Sequence, residues 1–349
     1  MRPAHGLPFV FVTLLAAAPS LADEGEHAEP AAAKGAEHDE HAKTDEHAKH
    51  DEHAKHDGAE RAEGPWDASI DLVYGSTLMD TVGHAGEALV PDRSRVSVFS
   101  LLPGLELELG RHLVLGFRVP VIIGAPATIQ SRGEGALPNR TVSAFFGNLE
   151  LEAAWKQQLA KNNIVTVRLD GAVELALPTG GGAEPPSGGE EPKAVSYGAW
   201  DQWAVMQAAS RTRGSVDSSL FESGRLGVAP KIAAAHSFLG GKLLLRPSVK
   251  FEILSDVTGR ARDPVIGELV VGGRVSYRVV PWLEPTVHFW GNIVVTDSAE
   301  KDLAVAVFEP AIAGHFGPVS PFVSVIVPVA GRLAAGDTLA LRVGASAAF

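Results

Sequence analysis

NIVTVRLDGAVELAL, residues 163–177, is the stretch on which the fold turns. Val165, Val167, Leu169, Gly171, Val173, Leu175 and Leu177 share one parity, and Thr166, Arg168, Asp170, Ala172, Glu174 and Ala176 share the other. Successive side chains of an extended chain point to opposite faces, so this segment reads as a strand with one apolar and one charged face. A strand buried on both faces would be apolar throughout.

The same alternation recurs outward in both directions. Leu113, Leu115, Phe117, Val119, Val121 and Ile123 oppose His112, Gly116 and Arg118. Leu243, Leu245, Pro247, Val249, Phe251 and Ile253 oppose Lys242, Arg246, Lys250 and Glu252. The chain ends on Leu339, Leu341, Val343, Ala345, Ala347 and Phe349, opposite Thr338, Arg342 and Ser346. About twelve segments carry the pattern, near 67–77, 97–109, 111–124, 142–157, 163–178, 223–237, 241–254, 264–278, 282–296, 303–316, 319–330 and 337–349. Most exceed the roughly 9–11 residues that a tilted strand needs to cross a hydrocarbon core.

The connections alternate in length. Gly110-Arg111, 159–162, 238–241, 279–281 and Gly317-Pro318 are short. Stretches 78–96, 125–141 and 179–222 are long, and 255–263, 297–302 and 331–336 are intermediate. Short turns at one end, longer loops at the other and an even strand count mark bacterial outer-membrane barrels. The expected fold is therefore all-β: a transmembrane antiparallel up-and-down barrel of about 12 strands over residues 65–349. An open sheet edge is not tolerated in lipid, which requires closure. Pro120, Pro230, Pro247, Pro285 and Pro310 each delete a ladder donor and leave a soluble β-sandwich as the alternative.

The first 64 residues differ from the rest. Arg2 precedes an apolar run from Leu7 to Ala18, and small residues follow at Ser20 and Ala22. This is the layout of a cleavable secretory signal, with cleavage expected after Ala22, and the run is too short for a membrane anchor. Residues 23–64 carry fourteen acids, five bases and seven histidines, with almost no large apolar side chain. Such a segment cannot offset its ordering entropy, so a disordered periplasmic tail is expected. A hexad repeats as DEHAKT, DEHAKH and DEHAKH from Asp39, Asp45 and Asp51. Imidazoles and carboxylates together suit zinc, nickel or copper(II). His38, His41, His47, His50, His53 and His56 are the candidate ligands of a weak multi-site metal tail; a solvated spacer is the competing reading. No cofactor is required.

The chain holds no cysteine, which removes disulfides and thiolate sites, and its net charge of −12 argues against nucleic acid as a partner. After residue 22 no run of about 18 apolar residues offers a helical span. Trp66, Trp155, Trp282, Phe316 and Phe349 fall near strand ends, as interfacial aromatics do.

Three stretches carry a family resemblance: LVLGFRVPVI (113–122), FGNLELEAAWK (146–156) and VELALPTGG (173–181). They resemble the outer-membrane transporter barrels grouped with the meta-cleavage (MetA-like) pathway of phenol degradation, with Asn148 standing where that family prefers Asp. The resemblance covers roughly residues 66–349 and implies a transport-related channel without naming its solute. The histidine-rich tail is not part of it. A C-terminal aromatic such as Phe349 likewise resembles the signal read by the barrel-assembly machinery.

If the apolar faces meet outer-membrane lipid, the opposite faces line the lumen. That set comprises Glu106, Glu108, Arg118, Glu150, Glu152, Arg168, Asp170, Glu174, Lys231, Arg246, Lys250, Glu252, Arg274, His288 and Arg342, with Lys242, Glu268 and Glu309 in the same phase. A lipid-facing Arg or Lys at the midplane costs about 2–4 kcal/mol, which drives these residues inward. There they either select solutes or pair across strands. The loop 179–222 either folds inward as a constriction or stands outside as a lid; its Gly180-Gly181-Gly182 is no phosphate loop and no helix is expected at that run. No serine pairs with His112, His288 or His315 in a readable way, so no catalysis is expected. The reading is a channel for a small solute in the bacterial outer membrane, both termini periplasmic, linked to metal through its tail. The alternative is a plugged barrel presenting a metal-binding tail.

Overall fold

A computed structural model describes residues 65–85, 88–110, 112–130, 142–161, 165–180, 197–222, 224–259, 263–296 and 304–349. The segment expected to be a signal and the six candidate metal histidines lie outside the described residues.

The described strands form one antiparallel sheet: β1 (Trp66–Ala85), β2 (Ala88–Leu109), β3 (Leu113–Arg118), β4 (Val121–Gln130), β5 (Ser143–Phe146), β6 (Leu149–Lys161), β7 (Thr166–Leu177), β8 (Arg225–Phe238), β9 (Leu243–Asp256), β10 (Val265–Tyr277), β11 (Leu283–Val294), β12 (Ala304–Gly314), β13 (Val319–Gly331) and β14 (Leu339–Ala348). β3 and β4 are two halves of one stave, as are β5 and β6, so twelve staves make the wall. β1 pairs with β2 on one side and with β14 on the other, from Asp67↔Ala348 to Ser76↔Leu339. Trp66 and Phe349 exchange backbone hydrogen bonds at 3.3 and 2.9 Å, which completes the seam. Through β1 the sheet closes on itself as a barrel, as spanning strands in lipid require.

Burial is inverted relative to a soluble protein. Ile70, Leu115, Leu151, Val173, Ile253 and Val343 are each 40–44 % exposed, whereas Glu150, Glu174, Glu252 and Glu309 are 0–2 % exposed. The hydrophobic effect rewards the reverse arrangement in water, but a belt of exposed aliphatic side chains around an acid-lined interior is what a bilayer stabilises. This removes the β-sandwich alternative. Trp66, Trp155, Trp282, Phe316 and Phe349 are exposed, and the last two turns bring Trp282 and Phe316 into a stack at 6.4 Å.

Four sequence expectations need correction. The stretch 78–96 is not simply a long loop: β1 and β2 run on as one hairpin, paired from Leu78↔Arg95 to Ala85↔Ala88. The segment 111–124 breaks at Val119-Pro120 and resumes as far as Gln130. The segment 142–157 breaks at Gly147-Asn148, and its parity flips there. Phe146 is 60 % exposed while its neighbour Phe145 packs inward, yet from Leu149 onward the even residues face in. The pairing with the adjacent stave slips by one residue between Val121↔Phe146 and Arg118↔Glu150, which is a bulge. Lastly, loop 179–222 contains a helix, α1 (Tyr197–Thr212), and a short turn of helix, α2 (Ser218–Phe221).

The prolines are accommodated one ladder at a time. Pro230 keeps its partner Val173 on β7, while the β8–β9 ladder skips from Val228↔Ile253 to Lys231↔Lys250. Pro310 keeps Val287 on β11, and the β12–β13 ladder skips from Phe308↔Val327 to Ala311↔Ser324. Each missing N–H thus interrupts pairing on one side only, and the wall stays continuous on the other.

Candidate functional site

The lumen is filled from the loop side by segment 197–222. α1 lies against the inner faces of β1, β2 and β4. Ala204, Val205, Met206, Ala208 and Ala209 are at most 1 % exposed, packed with Met79, Val96, Val98, Leu102 and Ile122 of the wall and Leu220 and Phe221 of α2. α1 therefore docks as a helix docks in a soluble core, by burying its apolar side. A smaller cluster fills the adjoining wall on the other side of β1: Leu333 of α3 (Arg332–Ala335) is fully buried with Val73, Val305, Val307, Ile326 and Ala340.

Below α1 the chain is held by hooks from the wall. Trp290 Nε1 donates to the Gly214 carbonyl at 2.9 Å and Asn292 Nδ2 to the Ser215 carbonyl at 2.7 Å. Lys250 Nζ donates to the Val216 carbonyl at 2.6 Å, and the Ser219 N–H donates to Glu252 Oε1 at 3.1 Å. Asn148, at the strand break, donates to the Ser219 and Glu222 carbonyls, both at 2.7 Å. A side chain on Gly147 would collide with the Leu220 carbonyl and the Pro120 ring, each 2.4 Å from its Cβ, so glycine is what lets the wall approach the segment this closely. One ionic latch joins the two: Asp71 on β1 takes Arg213 at 2.6 Å and Arg342 of β14 at 2.8 Å. Asp217, on the inward segment, is raised by burial, but Arg118, Arg213, Lys250 and Arg342 more than offset that and hold its carboxyl below the ordinary range.

The residues expected in the lumen occupy its wall in paired sets. Arg118 pairs with Glu150, and Lys156 with Glu108 at 2.7 Å. Arg168 and Arg246 share Asp170 at 2.7 and 2.9 Å. Lys231 and Lys250 share Glu174 at 3.4 and 3.5 Å, and Lys250 also approaches Glu252 at 3.8 Å. Arg274 pairs with Glu284 at 2.7 Å, and Arg342 and His288 meet on Glu309 at 3.2 and 3.4 Å. Carboxylate oxygens of Glu150, Glu152 and Glu174 lie within 4.8 Å of one another. Arg118, Lys231 and Lys250 already supply cations to that group, so it reads as a charge network of the wall. Glu152, together with Glu106, also borders an open space of about 360 Å³ on the turn side, lined as well by Arg118, Arg168, Lys231 and Arg246.

Sequence reading missed Asp71, Asn148, Arg213, Glu284, Trp290 and Asn292. Parity alone would have flagged Asp71, which alternates with Ile70 and Leu72. Asn148 stood out only as a departure from the resembled family's Asp, and Arg213 carried no sequence signal, because the roles of both depend on where loop 179–222 lies.

No family model matches this chain, and no curated protein does. Among solved structures it is similar to the COG4313 outer membrane channel from Pseudomonas putida F1, with 17% identity, 84% of this chain and 98% of that chain covered, and a TM-score of 0.49. It is also similar to the NanC porin, at 8% identity, 80% and 100% coverage and a TM-score of 0.40. The TodX monoaromatic hydrocarbon channel gives 7% identity, 82% and 91% coverage and 0.35.

Proposed function

We propose that this chain is an outer-membrane channel for small polar solutes whose passage is throttled by segment 197–222. The observation that supports it most is the contrast within the lumen. A charged, open space of about 360 Å³ remains on the turn side, and what blocks the way beyond it is a loop segment attached by side-chain hooks rather than by strand pairing. A structural barrel with no traffic would gain nothing from keeping unfilled space lined by charges, which cost free energy to hold out of bulk water. The signal-like leader, the even stave count and the short turns support a reading in which the turn side and both ends face the periplasm, and the three resembling stretches fit the meta-cleavage transporter group. Purified full-length protein in planar bilayers is expected to conduct, and replacing residues 199–211 by a Gly/Ser linker is expected to raise unit conductance several-fold. A correctly folded barrel that stays silent both with and without the segment would refute the channel.

The seam between Trp66 and Phe349 supports a role for Phe349 in assembly. Phe349 is 63 % exposed, in phase with Leu339, Leu341 and Val343. Its deletion is expected to lower outer-membrane levels while the barrels that do insert conduct normally; unchanged levels would count against recognition by the assembly machinery.

A second reading is favoured by the repeated DEHAKH hexads: the barrel anchors a tail whose His38, His41, His47, His50, His53 and His56 buffer zinc, nickel or copper. Calorimetric titration of the full chain against a variant with these histidines changed to Gln tests it, and equal heats would exclude it.

A further inference from the structure

We infer that a calcium ion binds where segment 213–222 meets β9, β10 and β11, and that it clamps the segment to the wall. Binding stands apart from the channel reading; only the ion's effect on conductance rests on that reading.

A closed ring of contacts outlines the site. Glu252 of β9 and Glu268 of β10 are partners on one rung. Asn292 of β11 donates from its amide to Glu268 Oε2 at 2.8 Å and to the Ser215 carbonyl at 2.7 Å. Ser218 Oγ also donates to the Ser215 carbonyl, at 3.3 Å, and the backbone N–H of the next residue, Ser219, donates to Glu252 Oε1 at 3.1 Å. The ring thus runs from wall to segment and back to the wall. None of these residues is more than 5 % exposed.

Two features of the ring call for a cation. The first is charge. Carboxylates sealed from water on one rung repel, and each is costly to bury without compensation. Lys250 comes no closer to Glu252 than 3.8 Å, and it also serves Glu174 at 3.5 Å and the Val216 carbonyl at 2.6 Å. Among the described residues no ion pair reaches Glu268, and the charges that act on it from other elements, Arg332 and Glu222, have opposite signs.

The second is the supply of oxygens. Glu252 Oε2, Asn292 Oδ1, Ser215 Oγ and Ser219 Oγ are buried and make no hydrogen bond among the described residues. Buried polar atoms are rarely left so, and here four belong to one ring. A proton shared by Glu252 and Glu268 would relieve their repulsion but leave the serine and asparagine oxygens bare. With the Glu268 carboxylate, the ring offers hard oxygen donors and neither imidazole nor thiolate, which disfavours zinc. Calcium takes about six to eight oxygens in a flexible geometry, whereas magnesium holds to a strict octahedron and keeps its waters. The two carboxylates balance calcium's two charges. Glu252, Glu268 and Asn292 stand on the wall, and Ser215 and Ser219 on the segment, so one ion ties the two together.

The test uses the full chain in nanodiscs after EDTA treatment, with calcium alone as the probe. The acids of residues 23–64 are a second sink for calcium, so wild type is compared with Glu268→Gln, which carries the same tail. Equilibrium dialysis is expected to show one more ion per chain in wild type than in Glu268→Gln. Ser219→Ala, which keeps every charge, should weaken that ion at least fivefold. Calcium should slow protease cleavage within 197–222 at least tenfold in wild type and leave Glu268→Gln unaffected. Heat-modifiable mobility identifies the folded barrels, and if Glu268→Gln does not fold, Ser219→Ala decides alone. Equal calcium uptake by wild type and Glu268→Gln, an affinity unmoved by Ser219→Ala, or wild-type cleavage indifferent to calcium overturns the clamp. Conductance is read separately: a silent barrel that binds the extra ion refutes only the channel, and a conducting barrel without it refutes only the site.

Discussion

On the loop side of the lumen, Val205, Ala208 and Phe221 are sealed against Val96, Val98 and Ile122 with no exposed surface to speak of. On the turn side, Arg168, Arg246 and Lys231 keep 38–43 % of their side chains open to a cavity. The two halves of one barrel therefore answer to different physics. The loop-side half gains stability by excluding water from apolar surface, and its occupant is a helix that the strands did not need in order to close. The turn-side half is held by charge pairs around an open space, where each exposed pair contributes little. A barrel can evidently settle its backbone through the wall alone and leave its interior free to be two materials.

The largest way to break this contrast is to make the loop side resemble the turn side. Val205→Asp places an unpaired carboxylate in the apolar packing, at a cost of several kcal/mol. It should expel α1, raise unit conductance several-fold and open 197–222 to protease; wild-type conductance and protease resistance together would show that α1 is not the seal. Next comes the latch. Asp71→Ala strips a shared partner from Arg213 and Arg342, and about 3–5 kcal/mol of stability is expected to go with it. Thermal unfolding followed by gel mobility measures this, and a midpoint equal to wild type would mean that the hooks alone hold the segment. A smaller effect is expected from Trp290→Phe, which loses one hydrogen bond to the Gly214 carbonyl, about 0.5–1.5 kcal/mol, and should appear as faster amide exchange around Gly214 and nowhere on the turn side. Smallest in stability is Lys156→Gln. Its pair with Glu108 is about 40 % exposed, so at most about 1 kcal/mol is expected. Its signature is instead a reversal potential shifted toward cation preference, and an unshifted potential would place Lys156 off the conducting route.

The wall was legible because strand parity and lipid impose one rule on every stave: Val165 to Leu177 states it, and Leu243 to Ile253 and Leu339 to Phe349 repeat it. The interior was legible only as far as parity reaches. Arg118, Glu150, Asp170 and Lys250 follow from it, but their partners depend on register, which single strands do not encode. α1 was hidden because its apolar residues, Trp203 to Ala209, sit within a long connection rich in Gly and Pro, and nothing local says that such a loop turns inward. The continuation of β1 and β2 was hidden for the opposite reason: Asp80, Gly83, Pro91 and Asp92 are turn formers, yet the hairpin uses them as strand. The break at Gly147-Asn148 looked like uninterrupted alternation, since one inserted residue leaves no mark in composition.

The hydrogen bonds between Trp66 and Phe349 join the first and last residues of the wall. Loop closure over such a span is the slowest kind of contact to find. Until Leu339 to Ala348 arrive, β1 and β13 are two open edges that face no partner, and both are templates for stray pairing. A chain lacking β14 would keep both of these edges unpaired. The barrel's synthesis is a wager on the final ten residues, and any chaperone that serves it must shield two distant edges at once until the last strand is delivered.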